Sequence, residues 1–161
     1  MDPDVCREHL EKLLADEVSA LTRLEGLLDR EHEHLLANDV DELDRTGAER
    51  QSCVGELVRI EDERRSLCRM MNLPLDASGV DRLLNWCDPS HALKRRWADC
   101  GARAANCRER NDRNGALVTA RLRRVTGMLE VLTGRANQPK VYDRGGAFES
   151  PQPSTRVLAR A

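Results

Sequence analysis

The chain repeats leucine and other aliphatic residues at heptad spacing through three stretches that are far longer than an ordinary helix. Residues three and four positions apart line one face of an α-helix, and a seven-residue repeat is typical of helices packed along a seam. Aromatic residues, which strands favour, make up only 2% of the chain. The pattern predicts an all-α fold: an antiparallel bundle of three long helices plus one short helix, with a disordered C-terminal tail.

Capping residues predict the first two helices. Asp2 and Pro3 begin helix one, which runs for about 35 residues. Asn38 ends it, and Asp39 with Glu42 caps helix two after a tight hairpin. The stripe of helix one is Leu10, Leu14, Leu21, Leu24, Leu28 and Leu35, and helix two carries Val40, Leu43, Val54, Leu57, Ile60, Leu67, Cys68 and Met71.

The second half of the chain contains a short helix and a long one. Ser78 and Asp81 predict a capping box for the short helix, which ends near Asp88. The last helix runs to about Leu132, and Gly134 is a natural stop. We therefore expect a helical bundle domain over residues 1–134 and a flexible tail with a partner-binding motif over residues 135–161, which hold three of the six prolines and no sustained period.

Charge is distributed unevenly along the chain. Residues 1–46 carry 14 acidic and 5 basic side chains, a net charge of −9, whereas residues 92–144 carry 5 acidic and 13 basic ones, a net charge of +8. The basic stretch could bind nucleic acid, but between Trp97 and Tyr142, where most of its arginines lie, it has no aromatic residue to stack on bases. We expect the acidic first helix to be its partner, and no nucleic acid.

The six cysteines include no C-x-x-C pair, and Cys68, Cys100 and Cys107 fall on seam positions. We expect them to be small buried hydrophobes. The acidic start is unlike a signal peptide, and no apolar run approaches the roughly 18 residues of a membrane span. These features predict a cytosolic protein with reduced thiols and no membrane insertion.

The sequence predicts no enzyme, because it holds no phosphate-binding loop, no serine elbow and no cysteine beside a suitable base. Long packed helices also present surfaces more readily than clefts. Glu31-x-x-His34 has the spacing of half a di-iron site, but a bundle site needs two such pairs and the chain has one. A solvated charged face is favoured there, and we expect no metal and no cofactor.

The seam of the last helix becomes polar at Asn111 and Asn114, next to Gly115. One interpretation is a polar layer that fixes the register of the helices. The other is a weak point at Gly115, a hinge that lets the following stretch shift. That stretch has apolar residues on more than one face, and its predicted client-binding residues are Leu117, Val118, Leu122, Val125, Leu129 and Leu132. It either packs on helices one and two or receives an amphipathic helix of a partner.

The order of several short motifs resembles the FlgN-type flagellar export chaperones. The motifs are Asn111-x-x-Asn114-Gly115-x-Leu117, then Val125, Leu129, Leu132 and Gly134, then Tyr142-Asp143-x-x-Gly146, with Leu35-Leu36, Asp39 to Leu43, Leu57, Arg64 and Cys68 in the first hairpin. The similarity extends to about Gly146, and the segment after it has no clear counterpart in the family.

The resemblance implies a cytosolic helical chaperone that binds hook-filament junction (hook-associated) proteins before their secretion. It further implies delivery to the export-gate protein of the flagellar type III system, with Tyr142 contacting that protein, and neither cofactor nor hydrolysis. Three alternatives stay open at this point: a self-assembling coiled-coil or adaptor protein, a ligand-binding or metal-binding bundle, and a sibling chaperone for another flagellar subunit.

Overall fold

The computed structural model describes residues 2–134, which form α-helices and no strands. The helices are α1 (Pro3–Ala37), α2 (Val40–Met70), α3 (Ala77–Cys87) and α4 (Ala92–Leu132). Three long helices and one short helix were predicted, and this architecture is confirmed. Within the described range, no helix has an apolar stretch that could cross a membrane. The predicted tail lies outside the described residues, so the domain boundary at residue 134 stays a prediction.

The first hairpin has the predicted caps. Asp2 accepts a hydrogen bond from the Asp4 backbone N–H at 2.8 Å, and Pro3 occupies the first turn of α1. Asn38 ends α1 in the left-handed region with φ of 58°, and Asp39 accepts from the Glu42 N–H at 3.2 Å. The short polar side chain of Asn38 tolerates this conformation, which turns the chain directly into α2.

The predicted Ser78–Asp81 capping box of α3 is wrong, because Asp76 caps this helix. The Asp76 carboxylate accepts from the Ser78 hydroxyl and from the backbone N–H groups of Ser78 and Gly79, at 2.6, 3.0 and 3.2 Å. The hydrogen bond from the Ser78 hydroxyl is the main cause that lowers the pKa of Asp76 below its ordinary value. A Cβ on Gly79 would lie 1.8 Å from the carbonyl oxygen of Pro74, so this position requires glycine.

The chain divides into two compact units, with the first ending at Ala120 and the second beginning at Arg121. In the first unit, α1 contributes more residues to the core than any other helix does. Every leucine of its predicted stripe is buried. α2 runs antiparallel to α1. Cys53 of α2 lies against Ala20, whereas Arg64, which comes later in α2, pairs with Glu17, which comes earlier in α1.

α4 runs parallel to α1 within the first unit. Three side chains of α4, seven residues apart, donate hydrogen bonds to α1 carbonyl groups that are also seven residues apart. The pairs are Cys100 with Leu14 at 3.8 Å, Cys107 with Leu21 at 3.7 Å, and Asn114 with Leu28 at 2.8 Å. Each pair is separated by 86 positions. The shared heptad period therefore holds α1 and α4 in one register.

All six cysteines are buried and unpaired, as predicted from the absence of a C-x-x-C pair and from the seam positions of three of them. Burial raises the pKa of Cys100 to about 12 and that of Cys107 to about 11. Such thiols remain protonated at neutral pH and act as small hydrophobes.

The charged side chain of Arg64 on α2 lies in this core, with 8% of its surface exposed. It forms ion pairs with Glu17 and Glu61, and its guanidinium lies 4.7 Å from the ring centroid of Trp97 on α4. Burial raises the pKa of Glu17, although Arg64 opposes that shift. Arg64 thus links α1, α2 and α4 through contacts that a purely apolar residue could not make.

Candidate functional site

Ion pairs join the acidic α1 to the basic α4 in the first unit, as the charge distribution predicted. They are Arg96 with Glu11 at 3.3 Å, Arg103 with Glu25 at 3.8 Å, Arg110 with Asp29 at 3.0 Å, and Arg113 with Asp29 at 3.1 Å. These arginines have carboxylate partners within the protein, which disfavours the nucleic-acid interpretation of this part of α4.

Asn114 is the polar residue of the α1–α4 seam and is 2% exposed. Its Nδ2 donates to the Leu28 carbonyl oxygen at 2.8 Å, and its Oδ1 lies 3.0 Å from Nδ1 of His32. Because the amide nitrogen already faces a carbonyl, Oδ1 must accept, which assigns a proton to His32 Nδ1. Asn114 therefore has a polar partner on each side of its amide, the arrangement that a register-fixing residue needs.

The other two residues of the predicted hinge differ from Asn114. Asn111 is exposed, and its Oδ1 accepts from Arg50 Nη1 at 3.4 Å. Gly115 lies inside the unbroken helix α4, and a Cβ there would meet nothing within 4 Å. Whether Gly115 acts as a hinge stays a prediction.

The Glu31-x-x-His34 pair does not assemble a metal site among residues 2–134. The Glu31 carboxylate lies 3.4 Å from Nε of Arg50 on α2, in an ion pair between the helices of the first hairpin. No group of three or more His, Cys, Asp or Glu side chains in the described range could hold a metal ion.

Two of the predicted client-binding residues belong to the first unit. Leu117 is half-buried, and Val118 is exposed over 41% of its surface. The structure therefore leaves part of this pair accessible.

The other four predicted residues lie in the second unit, on the last three turns of α4. Two further aliphatic side chains accompany them, and all six are between 53% and 80% exposed. We refer to these residues as the exposed stripe: Leu122, Val125, Met128, Leu129, Val131 and Leu132. Large aliphatic side chains that recur on one side of a helix are normally covered, so this stripe is a candidate contact surface.

A shallow groove follows one edge of the exposed stripe. Met128, Val131 and Leu132 line it together with Arg124 and Gly127. Gly127 leaves the helix backbone accessible, since a Cβ there would meet nothing within 4 Å. The groove thus offers an apolar floor with a cation at its margin.

Sequence reasoning missed Arg124 and Gly127, because a search for apolar repeats passes over both residue types. Helical spacing could have found them: Arg124 precedes Met128 by one turn and Val131 by two. By the same criterion, Arg123 shares the opposite, polar side of the helix with Thr126 and Glu130. Tyr142, the predicted gate-binding residue, lies outside the described residues.

Comparison with known proteins identifies the class to which this helical fold belongs. The model of the FlgN protein family matches residues 1–150. A crystal structure of a Pseudomonas aeruginosa protein, described as a flagella synthesis protein FlgN, matches with a TM-score of 0.62 at 24% identity, and the match covers 68% of this chain and 85% of that chain. At this identity the structural match shows a shared fold alone. No curated protein sequence matches the chain.

The chain belongs to the FlgN family of flagellar chaperones. The family predicted from the short motifs is confirmed, and the matched range extends past Gly146. Members of such a family act by binding other proteins, so the relevant chemistry of this chain lies in its surfaces.

Proposed function

We propose that this protein is a type III export chaperone that binds the amphipathic terminal segments of hook-associated proteins in the cytoplasm. Bound in this way, a client cannot assemble prematurely, and it is delivered to the export gate. Membership of the FlgN family supports the general role. The exposed stripe is the observation that carries the assignment of the binding surface.

Binding is favoured because the exposed stripe and the apolar face of the client helix remove each other from water. Each exposed aliphatic side chain that leaves water contributes roughly 25 cal/mol for every Å² buried. An amphipathic client segment can form a helix against the stripe, in the helix-in-groove mode. Ordering that segment opposes binding, so we expect a dissociation constant between about 1 µM and 1 nM, which still permits release.

Calorimetry with the C-terminal segments of candidate hook-associated proteins tests this function, with residues 135–161 present and removed. Wild-type protein should bind at least one segment stoichiometrically. Val125→Asp places a charge in the exposed stripe, and we expect it to weaken binding by at least about 2 kcal/mol, or thirtyfold. Far-UV circular dichroism should remain that of the wild type, because Val125 is already 53% exposed.

Thr126→Asp is the matched control, since it adds the same charge one residue later on the polar side of α4. It should change client affinity less than about threefold. Equal losses for Val125→Asp and Thr126→Asp would contradict the placement of the binding surface. Concentration-dependent dimers in sedimentation, without affinity for any client segment, would favour the self-assembling alternative.

Delivery to the gate is the second part of the proposal, and it involves Tyr142. An isolated tyrosine in a polar segment suits an anchor, because the ring buries a large area at a small cost in side-chain entropy. Tyr142→Ala should leave client affinity unchanged and weaken binding to the export-gate protein. An unchanged affinity for that protein in a titration would remove this role.

A further inference from the structure

The residues around the exposed stripe carry a net positive charge. The described part of the second unit, residues 121–134, contains Arg121, Arg123 and Arg124 but only one acidic residue, Glu130, which gives a net charge of +2. Arg121 and Arg124 are spaced to lie on the side of Met128 and Val131, and Arg124 lines the groove beside them. A partner in this groove therefore meets a guanidinium next to its apolar contacts.

Arg124 also differs in its ionic partners from the arginines of α4 that face α1. Arg103, Arg110 and Arg113 all have a carboxylate of α1 within 4 Å. No ion pair of Arg124 occurs among residues 2–134. A guanidinium that lines an apolar groove without a carboxylate is complementary to an incoming acidic side chain, and partial desolvation strengthens such a pair.

From this charge complementarity we infer that the stripe selects amphipathic segments whose apolar side chains are flanked by Asp or Glu, with Arg124 receiving a carboxylate. The inference rests on the proposed function and specifies which clients that function admits. Apolar contacts alone would accept any amphipathic helix of suitable length. A cation at the margin adds a preference, because it attracts acidic segments and repels basic ones.

Synthetic peptides test this preference without a natural client. Two peptides share one leucine stripe on a helical register, and their flanking positions hold either glutamate or lysine. Fluorescence anisotropy at low salt should show the glutamate peptide binding wild-type protein at least about tenfold more tightly. Added salt should reduce this ratio, since screening weakens partly exposed pairs. Equal affinities of the two peptides at low salt would overturn the inference.

Arg124→Glu locates the preference at one residue, and Arg123→Glu is its control on the polar side of the same helix turn. We expect Arg124→Glu to reverse or abolish the ratio of the two affinities, and Arg123→Glu to keep it within about threefold of the wild-type ratio. Equal effects of both variants would show a general charge effect and contradict the assignment to Arg124.

Failure of the inference is distinguishable from failure of the proposed function. If hook-associated segments bind and Val125→Asp abolishes their binding, while glutamate and lysine peptides bind equally, the chaperone function stands and the acidic preference is wrong. If no hook-associated segment binds but the glutamate peptide is preferred, the acidic preference stands and the client assignment is wrong.

Discussion

The two parts of helix α4 share a heptad spacing and differ in burial. In the first unit, Leu93, Cys100, Cys107 and Asn114 recur every seven residues and all are buried. In the second unit, Leu122, Val125, Leu129 and Leu132 have the same periodicity and each is more than half exposed. Periodicity therefore aligns side chains on one face, but a second surface must cover that face before the side chains are buried.

Ionic contacts show the same contrast. In the first unit, Arg110 and Arg113 reach Asp29, and Arg103 reaches Glu25. In the second unit, Arg123 and Arg124 have no ion pair within residues 2–134. These three arginines of the first part of α4 thus meet carboxylates inside the first unit, whereas the last turns leave both apolar and cationic groups exposed.

The largest expected effect of a substitution in the buried part is that of Arg64→Met. The substitution leaves Glu17 in the core without its guanidinium, and removing one member of a buried ion pair costs about 3 kcal/mol. Urea denaturation followed by circular dichroism measures the loss in unfolding free energy. Arg65→Met, at a half-exposed position that pairs with Glu61, should cost less than about 1 kcal/mol. Equal losses would mean that the Arg64 cluster contributes no more than a surface pair.

Asn114→Ala should produce the next largest effect. It removes the bond to the Leu28 carbonyl and leaves the Nδ1–H of His32 without its acceptor, and the loss of such a partner in a buried seam costs about 2 kcal/mol. Asn106→Ala is the control, because Asn106 is an exposed position on the same helix. If unfolding midpoints in urea fell equally for the two variants, the seam amide would have no special role in the register of α1 and α4.

The smallest expected effect on stability is that of a substitution in the second unit, at a glycine that lines the groove. Gly127→Ala should stabilise α4 by up to about 1 kcal/mol, since the new methyl meets nothing within 4 Å. The same methyl group occupies the floor of the groove, so client affinity should fall by about fivefold. Thermal unfolding and calorimetry measure the two changes separately.

Gly55→Ala on α2 is the control for helix propensity alone, because its Cβ also meets nothing within 4 Å. It should stabilise the protein to a similar extent and leave client affinity unchanged. If Gly127→Ala bound clients as tightly as Gly55→Ala does, the groove beside Met128 would not be part of the binding surface.

The sequence predicted the helices more accurately than their packing. In α2, Ile60 and Leu67 are buried as their spacing predicted, but Val40 and Val54 are exposed. Core positions of α2 are held instead by Thr46 and Arg64. A periodic pattern predicts burial from residue type alone. It therefore cannot predict that contacts with Glu17 and Trp97 allow the guanidinium of Arg64 to be buried.

The candidate site was only partly predictable for the same reason. The apolar repeat indicated Leu122, Val125, Leu129 and Leu132, whereas Arg124 and Gly127 emerged only from the groove that they line. Asn114 stood out as a polar seam residue, but its partners on α1 could not be inferred from a chain in which they are 82 and 86 positions away.

From local chemistry, the sequence alone determined where α1 begins and ends, where α2 begins and where α4 ends. It also determined which residues of α1 share a face and that the acidic and basic halves attract each other. Caps, helical periodicity and net charge depend on residues close together in the chain. The tertiary structure decided which periodic faces are covered, because burial depends on distant residues meeting. It gave Asn114 two partners in the α1–α4 seam and left Val125 exposed on the final turns of the same helix.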